Sequence, residues 1–125
     1  MAPKAYIPSM AEDPVETNPG NYRVAFENER VRVLEYTDAP GHVTTEHGHP
    51  DSVMITASAF NRRISANGNS VDVELPAGVA RWLPAQHHYG ENIGGSDTHV
   101  FFVELKDAAP PSTDEVADQL GPAHS

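Results

Sequence analysis

From Tyr22 to Lys106, apolar and polar residues alternate in runs of roughly four to nine positions, each followed by turn chemistry. The period-two pattern predicts strands over Tyr22–Glu27, Val31–Asp38, Val43–Glu46, Ser52–Phe60, Asn61–Ala66, Ser70–Leu75, Ala80–Leu83, His87–Glu91 and His99–Leu105. Turns are expected at Asn28-Glu29, Ala39-Pro40-Gly41, Asn67-Gly68 and Gly94-Gly95. The Asn67-Gly68 pair suits a type I′ hairpin, because both residues tolerate positive φ. No segment between them has a useful helical period. The expected fold is all-β, a small antiparallel barrel or jelly roll.

The flanks read differently. Residues 1–21 carry Pro3, Pro8, Pro14 and Pro19 with Gly20 behind them, which forbids one continuous helix and predicts an extended N-terminal arm. Residues 107–125 form an acidic tail containing Ala108, Ala109, Pro110 and Pro111, with room for a short helical turn capped by Thr113. The barrel is therefore assigned to residues 22–106, and a chain of 125 residues has no room for a second core of similar size.

Charge and cysteine count narrow the function classes. Eighteen acidic residues against eight basic ones give a net charge of −10, a field that repels nucleic acid and anionic membrane surfaces. The absence of cysteine removes disulfide scaffolds, thiolate metal sites and thiol nucleophiles together. No apolar run has the length of a signal peptide or a membrane span, so a cytoplasmic protein is expected.

The seven histidines are clustered: His42, His47 and His49, then His87 and His88, with His99 and His124 apart. On an extended segment His47 and His49 project from the same face, within reach of one cation. A later strand returning His88 to the same interior completes a facial set of three imidazoles with open positions for water or substrate. The alternative on spacing alone is a pair of solvated surface histidines.

Gly41 followed after five residues by His47-Gly-His49, and Pro84-Ala-Gln-His-His88 with three residues to Asn92, resemble the two motifs of the cupin superfamily. The runs His-Pro-Asp-Ser-Val and Trp82-Leu-Pro-Ala-Gln-His-His-Tyr-Gly-Glu-Asn-Ile-Gly, with the closing Val103-Glu-Leu-Lys106, look like those of small single-domain bacterial cupins. The resemblance covers about residues 22–106. It implies a barrel whose mouth holds a divalent metal (iron, manganese, nickel, copper or zinc) on His47, His49 and His88. The chain departs from the pattern at one point: the family's carboxylate after the His-x-His pair falls where this sequence has Val53 and Met54. Asp51 and Gln86 are the nearest polar substitutes by direction. The match of His88 to His-x-x-x-Asn leaves His87 outward, as alternation leaves Glu46; His42 is expected at the surface and His99 as a structural histidine.

Around the metal, Gln86, Arg81, Met54, Tyr89 and Phe101 are the candidates to meet substrate or its surroundings, and no catalytic residue is assigned. Met54, Ile55, Phe101 and Val103 are expected to line or underlie the pocket. Trp82 and the phenylalanines are expected in the core, and Arg62 and Arg63 to alternate faces, so that one could enter the barrel. The functional expectation is an enzyme acting on a small carbonyl- or oxygen-rich molecule, of dioxygenase or isomerase/lyase type. The alternative is a metal-free binding or structural barrel. Either is compatible with a homodimer in which the arm, including Tyr6 and Ile7, packs on the partner.

Overall fold

The computed structural model describes residues 12–106. The expectations for Tyr6, Ile7, the tail and His124 lie outside these residues.

Within the segment expected to lie extended, Pro14–Thr17 make a single helical turn, α1. Asp13 supplies the start signal, its carboxylate accepting from Val15 N at 2.9 Å. Pro14 occupies the first turn, where its missing N–H costs nothing. The turn packs against the barrel, with Asn18 buried behind it.

Nine strands follow: β1 (Tyr22–Glu27), β2 (Val31–Asp38), β3 (His47–His49), β4 (Ser52–Thr56), β5 (Phe60–Ala66), β6 (Asn69–Leu75), β7 (Ala80–Leu83), β8 (Gln86–Asn92) and β9 (Thr98–Leu105). They form a five-stranded sheet in the order β1-β2-β9-β4-β7 and a four-stranded sheet in the order β3-β8-β5-β6, every pairing antiparallel. This is the expected all-β jelly roll. The β5–β6 hairpin turns on Asn67 (φ 53°) and Gly68 (φ 78°), as the type I′ expectation requires.

Two elements differ from the sequence pattern. The third strand was expected over Val43–Glu46, where only Val43 bridges to Glu91. The strand is His47–His49, held by pairing of His47 with His88 and by donation from Gly48 N to Glu12 O at 2.9 Å. The fourth strand stops at Thr56 rather than reaching Phe60. There the next two amides, of Ala57 and Ser58, both turn to His99 O, and Gly78 N donates to Thr56 O.

The core between the sheets is Tyr22, Leu34, Tyr36, Met54, Phe60, Val100 and Phe102. The outer face of the five-stranded sheet is also apolar. Cross-strand register aligns Phe26, Val33, Val103, Val53 and Trp82 in one row across all five strands. Trp82 is 55% exposed in that row, so the expected core position for it is not the one it takes. Among the described residues no helix is long and apolar enough to cross a membrane.

Candidate metal centre

β3 and β8 bring the histidines together. His47 and His88 are cross-strand partners, and His49 lies two residues further on the same face of β3. All three are buried, and one ring nitrogen from each lies within 4.8 Å of the other two. The ring centroids are 4.9, 5.0 and 5.2 Å apart.

The ring orientations are set by what each Nδ1 meets. His47 Nδ1 is 2.7 Å from Thr45 O, His49 Nδ1 is 2.9 Å from Glu104 Oε2, and His88 Nδ1 is 2.7 Å from Gln86 Oε1. A backbone carbonyl and a carboxylate only accept, and the amide of Gln86 presents its oxygen. Each Nδ1 therefore carries the proton and donates it, which leaves each Nε2 with a free lone pair. The 3.4 Å approach of Asn18 Nδ2 to His47 Nδ1 then brings two donors face to face and adds no bond. Fixing the tautomer through the distal nitrogen is how metal-ligating histidines are prepared.

Two of the rings are also kept neutral. Burial, then the neighbouring His49, pulls His47 down to about 4. The same causes in the same order hold His88 well below the usual imidazole range. Neutral imidazoles with converging lone pairs fit a divalent cation, so His47, His49 and His88 form a group able to hold one.

The centre opens on a cavity of about 120 Å³ between the sheets. Met54 and Gln86 line it, as expected. Five other expected residues do not. Tyr89 is 41% exposed because β8 turns His88 and Gly90 inward and Tyr89 outward. Phe101 lies on the outer face of β9 against the His99 ring at 5.3 Å, and Val103 shares that face. The inward residue is Phe102, whose ring stacks on His49 at 4.8 Å. Arg81, on the edge strand β7, is exposed and outside the lining. Ile55 is likewise exposed, pairing with Phe101 on the outer face.

Of the basic pair, Arg62 enters the barrel and Arg63 stays exposed on Asp72. The Arg62 guanidinium lines the cavity but is held by Asp38 at 2.6 Å and Thr98 at 3.1 Å. His87 is exposed near Glu12 and Glu46, and His99 pairs with Glu35 at 2.6 Å, both as expected. Asp51 turns away from the centre to accept from Ala85 N at 2.8 Å.

Two residues of the centre were missed. Glu104 bridges His49 and Arg32, with Arg32 Nε at 2.9 Å from its other oxygen. Tyr22 places its hydroxyl 3.3 Å from His47 Nε2 and 3.4 Å from His49 Nε2. The available signal for Glu104 was a charged residue in step with Val100 and Phe102 on β9.

No family model matches the chain, and no curated protein matches it. Solved structures do. A cupin domain from Bordetella pertussis is 26% identical, with a TM-score of 0.63, covering 86% of this chain and 98% of that one. An RmlC-like cupin from Methanocaldococcus jannaschii, described as a double-stranded β-helix, is 13% identical over 67% of this chain and 77% of that one, at a TM-score of 0.55. A cupin superfamily protein from Desulfitobacterium hafniense is 16% identical over 69% and 76%, at 0.53. The last two share the fold, and the first aligns nearly end to end. With two sheets closing over a core and a buried group of three histidines between them, the chain has the jelly-roll fold of the cupins it resembles.

Proposed function

We propose that the chain is a metal-dependent enzyme acting on a small carbonyl- or oxygen-rich molecule at His47, His49 and His88. The observation that carries this reading is the shared state of the three rings: each Nδ1–H is tied to an acceptor, which leaves each Nε2 unprotonated. A divalent ion bound there supplies Lewis-acid chemistry to a substrate oxygen, or oxygen chemistry where the ion is redox-active.

The protein's own groups do the rest. Three imidazole ligands leave positions on the ion that suit oxygen donors. Met54, Phe60, Val100 and Phe102 give the cavity a largely apolar wall, which strengthens electrostatic contacts inside. Arg62 offers hydrogen-bond donors at the wall, with its charge offset by Asp38, so it orients a polar group without drawing in a polyanion. The small volume favours a compact ligand over a polymer.

Elemental analysis of protein purified without a His tag tests the reading. Near-stoichiometric metal, lost in His47→Ala/His49→Ala, is the expected result. A second reading, a metal-free binding barrel, is favoured by Val53 and Met54 in place of the motif carboxylate and by a Tyr22 hydroxyl that gives two imidazoles a polar neighbour without an ion. Protein that retains no metal and takes up neither zinc nor copper would overturn the metal reading and leave a ligand-binding or structural barrel.

A further inference from the structure

Among the described residues, the Tyr22 hydroxyl is an oxygen placed against two of the imidazole Nε2 atoms. It is fully inside the barrel, and its ring is fixed by Tyr36 at 4.6 Å, His47 at 5.5 Å and Phe102 at 6.0 Å between centroids. Its distances to His47 Nε2 and His49 Nε2 are 3.3 and 3.4 Å, long for hydrogen bonds from a hydroxyl to a good acceptor. With both Nδ1 atoms already protonated, one phenol proton faces two lone pairs and serves only one at a time. Two imidazole nitrogens and a phenol oxygen crowded on one point, with one proton among them, is the arrangement of a ligand set.

The spacing agrees. With metal–ligand bonds of about 2.0–2.1 Å, neighbouring ligand atoms of a tetrahedral shell stand about 3.3–3.4 Å apart. The two Tyr22 distances fall at that edge length.

Building on the three-histidine reading, we propose that Tyr22 is the fourth protein donor of the metal centre, binding as tyrosinate in place of the carboxylate absent at Val53 and Met54. The donor comes from β1, on the opposite sheet from β3 and β8, so the ion joins the two sheets. On coordination the phenol proton leaves to solvent and the O–M bond forms, with no change of oxidation state. One negative ligand alongside three imidazoles matches the charge the usual carboxylate would bring.

The test uses copper(II), which late in the divalent series binds imidazole sets strongly. Full-length protein is loaded with copper(II), desalted, and read by elemental analysis and visible absorption, alongside Tyr22→Phe, Tyr36→Phe and His47→Ala/His49→Ala. The expected result is a phenolate-to-copper charge-transfer band in wild type and in Tyr36→Phe. In Tyr22→Phe that band is lost while copper is retained. Copper bound at the histidines in wild type without the band overturns the tyrosinate while leaving the three-histidine centre standing. No copper dependent on His47 and His49 overturns both. Should Tyr22→Phe fail to fold, resonance Raman of wild type with ring-deuterated tyrosine decides: phenolate modes that shift support the proposal, and their absence overturns it.

Discussion

Arg62 Nη1 lies 2.6 Å from Asp38 Oδ2 with both side chains buried, joining β5 to β2 across the barrel. Burial opposes ionisation of Asp38, yet hydrogen bonds from Tyr36 and Arg62 outweigh it and hold the carboxyl below its usual range. Asn92 Nδ2 takes the other carboxylate oxygen at 3.0 Å. Removing one partner of such a pair strands the other charge in a dry interior. Arg62→Leu is expected to destabilise the protein by about 3–5 kcal/mol, whereas Arg63→Ala on the exposed face is expected to change stability by no more than about 0.5 kcal/mol. Urea unfolding of the two variants checks the contrast, and equal midpoints would contradict it.

Glu104 supports His49 by accepting its Nδ1 proton. Glu104→Gln keeps the shape, loses the charge and leaves Arg32 with Asp13 as its remaining anion. Metal affinity is expected to fall about 10–100-fold, measured by competition against a chromophoric chelator. An unchanged affinity would separate Glu104 from the centre.

The two adjacent histidines of β8 should behave oppositely. His88→Ala removes an inward ring and is expected to lower metal occupancy sharply, while His87→Ala removes an exposed one and should leave it near wild type. Elemental analysis of the pair reverses the assignment if only His87→Ala empties the site.

The metal-free protein should lose stability in acid. His47 titrates near 6.5 when unfolded and about 4 when folded, and His88 is shifted in the same direction. The unfolded chain therefore binds protons first. The stability tied to neutral rings is present above about pH 6.5 and is lost as pH falls through about 4. Thermal melts across that interval should show a steeper decline for wild type than for His47→Phe. Parallel curves would show that the ring is not the titrating group.

Much of this was legible in the residues. The bounds of β1, β2 and β7 fall where the sequence pattern places them, because turn chemistry marks their ends. The pairing of His47, His49 and His88 followed from spacing together with the motif likeness. β9 defeated the pattern: Phe101 and Val103 are as apolar as Val100 and Phe102, so alternation alone could not tell inside from outside. The register could, since it sets Phe102 opposite Met54 and Leu34, both buried. α1 was obscured by its own proline, which reads as a breaker in a run of four and acts here as a starter. Tyr22 escaped notice because a tyrosine opening a strand looks like any core aromatic, and only the fold carries its hydroxyl to histidines 25 and 27 residues away.

Asp13 caps α1 and also accepts from Arg32 at 2.7 Å; Arg32 grips Glu104, and Glu104 grips His49. These contacts make the first described turn and the buried imidazole two ends of a single tether. Linkage between two such ends is reciprocal: an occupant that steadies His49 is expected to steady the turn, and cutting the chain near Asp13 to loosen the ring. The N-terminal turn would then act as a gauge on the centre, with slower clipping by a protease expected when the imidazole is held more firmly.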